Sequence, residues 1–105
     1  MPKVVNLSGR KPRALRTGEA YIGGHLATHG WHLPESKWAN PFKIGHDGAR
    51  EHVVALYEYF VRSKPDLIAA LPELRGKDLA CWCAPLPCHG DVLLRLVELE
   101  AKGEL

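Results

Sequence analysis

The chain has 105 residues, of which 46% are hydrophobic and 25% are charged, and its formal net charge is +2. These values are typical of one soluble globular domain with a modest core, and we expect a single domain over residues 1–105. The small net charge does not by itself require a polyanionic partner, and no apolar run approaches the ~20 residues of a membrane span. The first residues lack the apolar core of a signal peptide, and three cysteines are an odd number for a disulfide framework. We therefore expect a cytoplasmic protein without a membrane segment.

The N-terminal part of the chain predicts two short strands joined by a basic loop. Residues 3–7 and 20–22 are apolar enough for strands, and each run is followed by glycine. Residues 10–16 between them carry four cations, which can meet nucleic acid or phosphorylated ligands or form a solvated loop. Residues 25–37 contain three histidines without helical periodicity, so they predict a loop long enough to cover a site, with the histidines facing solvent.

A compact aromatic and amide segment follows at residues 36–42. Trp38 and Asn40 can stack on and hydrogen-bond a planar base. Alternatively, Trp38 and Phe42 fill the core while Asn40, held extended by the proline after it, forms an Asx turn. The sequence leaves both interpretations open.

Two helical segments are predicted between residues 47 and 74. Asp47 is a credible N-cap for the first, and a second short helix is expected over residues 63–74. Arg50 lies in the first turn, where a cation opposes the helix dipole by about 0.3–1 kcal/mol, so it serves either an anionic ligand or an ion pair with Asp47. The apolar stripe of the first helix is Val53, Leu56, Tyr57 and Phe60.

The densest group of reactive side chains lies between residues 81 and 89 and contains all three cysteines. Residues 79–83 predict a buried strand, two prolines end it, and a helix is expected to begin within a residue or two of His89. This Rossmann-like strand, loop and helix places the group where open α/β sheets bind anionic ligands. The element order β-β-loop-α-α-β-α predicts a small α/β domain, in which a sheet of mostly short strands is layered with three helices.

Three interpretations of the cysteine and histidine group stay open. All three cysteines with His89 match a Cys3His zinc set, and three thiolates can also hold part of an iron–sulfur cluster. Against a metal, Cys81 and Cys83 on an extended strand would place their sulfurs roughly 6.5 Å apart, too far for one ion unless the strand bends. In the second interpretation the helix start lowers the pKa of Cys88, His89 is its base and Asp91 orients the pair. In the third, the cysteines are buried apolar groups, and His89 and Asp91 cap the helix.

Several sequence blocks carry a family resemblance over residues 6–96. They are Tyr21-Ile22-Gly23, residues 36–42, Asp47-Gly48 with Arg50, residues 74–77, Cys81-Trp82-Cys83-Ala84-Pro85 and Cys88-His89-Gly90-Asp91. Together they resemble the uncharacterised family called domain of unknown function 4326, found in bacteria and phages. The resemblance implies a site at the shared motif positions but does not imply an activity. These positions are Asn40, Arg50, Cys81, Cys83, Cys88, His89 and Asp91. Where similar proteins often have arginine after Ile-Gly, this chain has Gly24, so an anion-binding role there would fall to another cation such as Arg10.

Two functions are compatible with these observations. The first is a pocket at the carboxyl edge of the sheet that binds a phosphate-bearing, nucleotide-like ligand and uses the Cys88 and His89 pair, with or without catalysis. Arg50 and the helix amides would bind the anion, Trp38 and Asn40 would contact a planar group, and Tyr21 and Arg10 would line the pocket. The second is a non-catalytic module, such as a phage accessory protein, in which the cysteines and histidine hold a structural zinc ion. Its basic loop would then meet nucleic acid or a host protein.

Overall fold

Three short parallel strands form the centre of the fold. The computed structural model describes residues 2–105. Strand β1 is Val4–Asn6, β2 is Glu19–Tyr21 and β3 is Asp78–Cys81. Strand β3 lies in the middle and pairs in parallel with both others, so the order is β1-β3-β2. The carboxyl ends of all three strands therefore lie at one edge of the sheet.

Three α-helices pack with the sheet, and the predicted α/β architecture is confirmed. Helix α1 spans Arg50–Arg62, α2 spans Pro65–Ala70 and α3 spans His89–Ala101. Within the described residues, no helix is long and apolar enough to cross a membrane.

The hydrophobic core has two parts, one on each face of the sheet. Because side chains alternate along a strand, Leu79 and Cys81 belong to the part that contains α1 and α3. Ala80 belongs to the other part, which the loop at residues 25–37 covers with Trp31 and Leu33. This loop is therefore anchored on the sheet, while its three histidines are exposed as expected.

Helix α1 begins later than the sequence predicted, and the prediction that Asp47 is its N-cap is wrong. The Asp47 carboxylate accepts the backbone N–H of Lys43 at 2.8 Å instead. This bond closes the preceding loop, and the extended residue Ala49 occupies the cap position without a capping side chain. Arg50 therefore follows the cap directly, and the described ion pairs do not join it to Asp47.

The segment predicted as one helix over residues 63–74 is divided in two. Helix α2 follows Lys64 and starts with Pro65, as expected for proline in a first turn. A 3-10 turn, Leu71–Leu74, replaces the last part. Pro72 lies inside this turn, and since proline has no amide hydrogen it cannot continue the α-helical hydrogen-bond series.

Candidate metal centre

The chain bends sharply where β3 ends. The strand stops at Cys81, so the prediction that it continues to Cys83 is wrong. The loop that follows is held by two hydrogen bonds: Leu86 N–H donates to the Cys83 carbonyl at 3.0 Å, and the Asn6 side-chain amide donates to the Ala84 carbonyl at 2.7 Å. Because the chain leaves the extended conformation here, the wide sulfur separation expected for a straight strand does not apply.

Three free thiols meet between β3 and α3. The Sγ atoms of Cys81, Cys83 and Cys88 all lie within 4.8 Å of one another, and those of Cys81 and Cys88 are 3.2 Å apart. Tetrahedral zinc, with Zn–S near 2.3 Å, separates its sulfurs by about 3.8 Å. Shifts of about 1 Å or less would therefore bring these three sulfurs to the spacing of ligands on one ion. Cys81 and Cys88 are buried, and Cys83 is half-buried.

A capping box fixes Cys88 at the start of α3. Cys88 Sγ accepts the backbone N–H of Gly90 at 3.4 Å, and the Asp91 carboxylate accepts the backbone N–H of Cys88 at 3.0 Å. Two otherwise unpaired amides of the first turn are thereby satisfied. Asp91 thus acts as a helix cap in this structure, which was the alternative to its predicted role in orienting His89.

A backbone carbonyl orients His89. Its Nε2 lies 2.7 Å from the Ile22 carbonyl oxygen, so Nε2 carries the hydrogen and donates it. The bare Nδ1 then lies 3.5 Å from Cys88 Sγ. Burial lowers the pKa of His89 below its ordinary value, which favours the neutral ring. Metal-binding histidines commonly donate their second ring N–H to a carbonyl in this way, but His89 is outside the group whose ligand atoms all lie within 4.8 Å of one another.

The thiol with the lowered pKa is Cys81, whereas the sequence predicted Cys88. A hydrogen bond from the Cys88 thiol, together with the backbone amides of Cys83 and Ala84, outweighs burial and lowers the pKa of Cys81 to about 6. The same hydrogen bond and burial raise the pKa of Cys88. At the start of α3, the backbone amide of Gly90 donates to Cys88 and lowers its pKa. The hydrogen bond between Cys88 and Cys81 has the larger effect, so the pKa of Cys88 stays raised. These contacts therefore favour the thiolate form at Cys81 over that at Cys88.

The thiols lie in the wall of a cavity of about 350 Å³. This first cavity is within the size range of small-molecule sites. Arg50 and Lys43 are its cationic residues, and within residues 2–105 no acidic residue lines it. The lining residues come from the carboxyl ends of β2 and β3, the loop before α1 and the starts of α1 and α3: Gly23, Gly24, Asn40, Phe42, Lys43, Ile44, Arg50, Val53, Val54, Cys81, Trp82, Cys83, Pro87, Cys88 and His89.

Of the residues predicted to bind the anion and a planar group, the structure brings two to this cavity. Asn40 lines it and forms the Asx turn that was its alternative role, accepting the backbone N–H of Phe42 at 2.9 Å. Arg50 also lines it and donates to the Pro87 carbonyl at 3.1 Å. Trp38 is only 3% exposed and packs in the core, so it offers no surface for stacking and the alternative core role applies.

Tyr21 and Arg10 have structural partners. The Tyr21 hydroxyl donates to the Gly24 carbonyl at 2.6 Å and accepts the indole N–H of Trp82 at 3.1 Å. Arg10 forms a two-pronged ion pair with Glu19 at 2.5 and 2.8 Å, in which both side chains are less than a tenth exposed. This pair holds the pKa of Glu19 down to about 2. The charge of Arg10 is therefore neutralised by Glu19, and the expectation that it replaces a missing anion-binding arginine is not supported.

Lys43 and Trp82 line the cavity but were not among the predicted site residues. Lys43 is in the loop closed by Asp47, a contact that the sequence did not suggest. Trp82 was treated as a strand residue, although its position between two cysteines at a strand end is a signal that it borders their site.

These features define the class as a small α/β protein with a three-cysteine candidate metal centre at the carboxyl edge of a parallel sheet. The chain belongs to the family Domain of unknown function (DUF4326), whose model matches residues 5–99, and the resemblance of the sequence blocks is thus confirmed. An uncharacterized protein of Acanthamoeba polyphaga mimivirus is 36% identical over 109 residues, covering 96% of this chain and 83% of that protein. The uncharacterized 12.4 kDa protein in the nrdA-td intergenic region of Enterobacteria phage T4 is 40% identical over 72 residues. That match covers 64% of this chain and 65% of the phage protein. No solved structure matches the chain.

Proposed function

We propose that the protein binds one zinc ion through the thiolates of Cys81, Cys83 and Cys88, and that the first cavity takes a small phosphate-bearing ligand beside the metal. One observation carries the proposal: three Sγ atoms lie within 4.8 Å of one another in the wall of a cavity.

The ligand chemistry favours zinc over the other metals that thiolates bind. Soft sulfur ligands select zinc, copper(I) or iron–sulfur clusters. A cluster usually needs four cysteines, and the chain has three. A single zinc ion needs only three protein ligands when a small molecule takes the fourth position.

A small molecule in the cavity is a better fourth ligand for the ion than His89. Cys83 is half-buried and lines the cavity, so an ion at the three sulfurs would have an accessible side. His89 is tied to Ile22 and lies near Cys88 alone of the three sulfurs. Zinc sites with an open position bind water or substrate, whereas closed ones are structural. When bound, the ion would act as a Lewis acid toward a ligand in the cavity, and the neutral His89 would remain beside Cys88.

The charges around the cavity favour a phosphate as the ligand group. Three thiolates around a doubly charged ion leave one net negative charge, which Arg50 and Lys43 offset. An arginine fork matches the oxygen atoms of a phosphate, and the Asn40 amide supplies a further polar group. The absence of acidic lining residues within residues 2–105 removes the main source of repulsion.

A metal-free catalytic thiol is the second candidate, and the lowered pKa of Cys81 favours it. However, Cys81 is only 1% exposed, so a substrate larger than water or peroxide would not reach its sulfur. The predicted nucleophile, Cys88, is 2% exposed and has a raised pKa. We therefore place the ligand-binding role ahead of thiol catalysis.

Metal analysis tests the first part of the proposal. Protein purified without chelator is expected to contain one zinc ion per chain by mass spectrometry of the elements. Mutation of a residue that only supports the ligands typically weakens metal binding by about 10–100-fold. Cys83→Ser removes a ligand and should therefore weaken zinc binding by more than this, as measured by competition with a colorimetric chelator. The matched control is His25→Ala with His32→Ala, which removes two exposed potential ligands outside the group. Equal zinc content in Cys83→Ser and the wild-type protein would reject the proposed centre.

Calorimetry with inorganic phosphate and with adenosine monophosphate tests the second part. Arg50→Gln is expected to weaken binding by about tenfold or more, as for the loss of a charge-assisted contact. Arg62→Gln is the control, because Arg62 lies at the other end of α1 and pairs with Glu58. Equal effects of the two variants would show that the cavity is not the anion site.

A further inference from the structure

A second cavity of about 270 Å³ lies beside the first at the same edge of the sheet. Trp82 lines both cavities, so they meet at this residue. This second cavity opens toward the basic loop after β1 and the anchored loop at residues 25–37. Its lining residues include Arg10, Lys11, Arg13, His29, Trp31 and Trp82.

The indole of Trp82 is held in place but only half-buried. Its N–H donates to the Tyr21 hydroxyl at 3.1 Å, and Trp31 packs edge-on with ring centroids 5.3 Å apart and an interplanar angle of 89°. A fixed and partly exposed aromatic ring is the usual platform for a nucleic-acid base, because every base has a π-face that can stack.

The cations of the second cavity have different roles. Arg10 is neutralised by Glu19 and anchors the loop. Lys11 and Arg13 are exposed, and neither takes part in an ion pair in the part of the chain that the structure describes. The Arg13 guanidinium donates to the His29 carbonyl, which places its charge at the cavity.

The first cavity, which Trp82 also lines, has a similar pair of cations. Lys43 and Arg50 line it, and within residues 2–105 neither forms an ion pair. No acidic residue of that range lines either cavity. Elsewhere five exposed cations have carboxylate partners, namely Lys37, Arg62, Arg75, Arg95 and Lys102. In the described part of the chain Lys3, Arg16, Lys64 and Lys77 are exposed without one. Four of the eight cations without an ion pair in residues 2–105 thus line the two cavities that meet at Trp82.

We propose that this edge binds single-stranded nucleic acid, with a phosphate at each cavity and a base against Trp82. The inference rests on the proposed function, since it takes the first cavity as a phosphate site, and it extends the ligand to a strand. A mononucleotide would occupy one cavity, whereas a strand alternates phosphates and bases and satisfies both pairs of cations. Electrostatic contacts of this kind make the affinity fall with salt.

Fluorescence anisotropy with a labelled oligothymidylate of about eight nucleotides tests the strand, at salt concentrations between about 50 and 200 mM. Lys11→Gln with Arg13→Gln is expected to reduce the slope of log affinity against log salt by about 1.4, since each lost contact to a single strand contributes about 0.7. The matched control is Lys3→Gln with Lys77→Gln, which removes two exposed cations next to the amino ends of β1 and β3. The control should leave the slope unchanged, and an equal effect of both double variants would overturn the proposal.

Variants of Trp82 test the stacking platform. Trp82→Leu should weaken binding by about fivefold or more without changing the salt slope, because a base–aromatic stack contributes affinity without charge. Trp82→Phe keeps an aromatic ring and should retain most of the binding, which separates stacking from any loss of folding. Equal weakening by both variants in folded protein would contradict a stacking role.

Competition by thymidine monophosphate separates this inference from the proposed function. The strand should bind at least about tenfold more tightly than the mononucleotide, because it engages the cations of both cavities. If both bind equally and both depend on Arg50, the phosphate site stands and the strand is rejected. If neither binds while zinc is still held, the metal centre stands and both ligand assignments fail.

Discussion

At Gly90 the start of α3 lies close to the side chains of Val4 and Ile22, and substitution of this glycine tests how the candidate metal centre is positioned. A Cβ at this residue would lie 2.8 Å from Val4 Cγ2 and 3.0 Å from Ile22 Cδ1. Carbon atoms in contact prefer about 3.5–4.0 Å, so Gly90→Ala must displace the start of α3 or both branched side chains.

The expected destabilisation follows from two opposing terms. Overpacking of this kind destabilises by about 1–3 kcal/mol, and Ile22 is fully buried, so we expect the upper part of that range. Alanine gains up to about 1 kcal/mol in helix propensity over glycine. The net loss is about 1–2 kcal/mol, or roughly 5–15 °C in Tm for a domain of this size. Zinc binding should weaken as well, because Cys88 moves with the start of the helix.

Urea unfolding followed by circular dichroism, in the presence of a chelator, measures this loss without the metal. The control is the same substitution in a Val4→Ala background, which removes both Cγ atoms and should recover at least half of the loss. A Gly90→Ala protein as stable as the wild type would refute the close approach. So would an effect of equal size in both backgrounds, because the two positions would then not be coupled.

Three further changes test other contacts. Tyr57→Phe removes a buried hydroxyl that donates to a loop carbonyl at 2.7 Å, and urea unfolding should show a loss of about 1–3 kcal/mol with an unchanged m-value. Glu19→Gln should lower the free energy of unfolding at neutral pH by about 1–2 kcal/mol, which allows for solvent screening of the Arg10–Glu19 pair. Because Arg10 lowers the pKa of Glu19 from 4.5 to about 2, the pair stabilises fully above about pH 5 and is lost as the pH falls toward 2. The wild type should therefore show an acid decline that the variant lacks. One equivalent of hydrogen peroxide should join Cys81 and Cys88, whose sulfurs are 3.2 Å apart, as a disulfide with release of water. Thiol titration should then find one free cysteine and zinc uptake should be lost, whereas three remaining thiols would contradict the contact.

The sequence predicted the local elements well because their signals are short-range. The apolar run that includes Leu79 and the polar and glycine residues around Gly90 were sufficient to predict the strand, loop and helix that carry the cysteines. The resemblance blocks also pointed to the residues that the structure brings together at Cys88. The order of the three strands could not be predicted, because it depends on pairing between residues that are distant along the chain, such as Val4 with Leu79 and Ala20 with Leu79.

The errors have a common physical origin in contacts that only tertiary structure defines. A hydrogen bond from Asn6 holds the loop after Cys81, where the chain bends. The sequence does not reveal this contact, so a straight strand with widely separated sulfurs was predicted. Arg10 was assigned to an anion because its partner Glu19 lies across a loop. Aspartate is a common helix cap, but the Asp47 carboxylate accepts the backbone N–H of Lys43, four residues earlier, instead.

The three cysteines lie close together along the chain, since Cys81 and Cys88 are only seven residues apart. When ligands from so short a segment bind one ion, they close only a small loop of chain. The entropy cost of closing this loop is low, even in the denatured protein. The denatured chain would therefore keep appreciable affinity for the ion, and zinc would stabilise the native fold by less than its dissociation constant suggests. The ion would also tie the end of β3 to the start of α3 before the remaining strands assemble, so refolding should be faster when zinc is present.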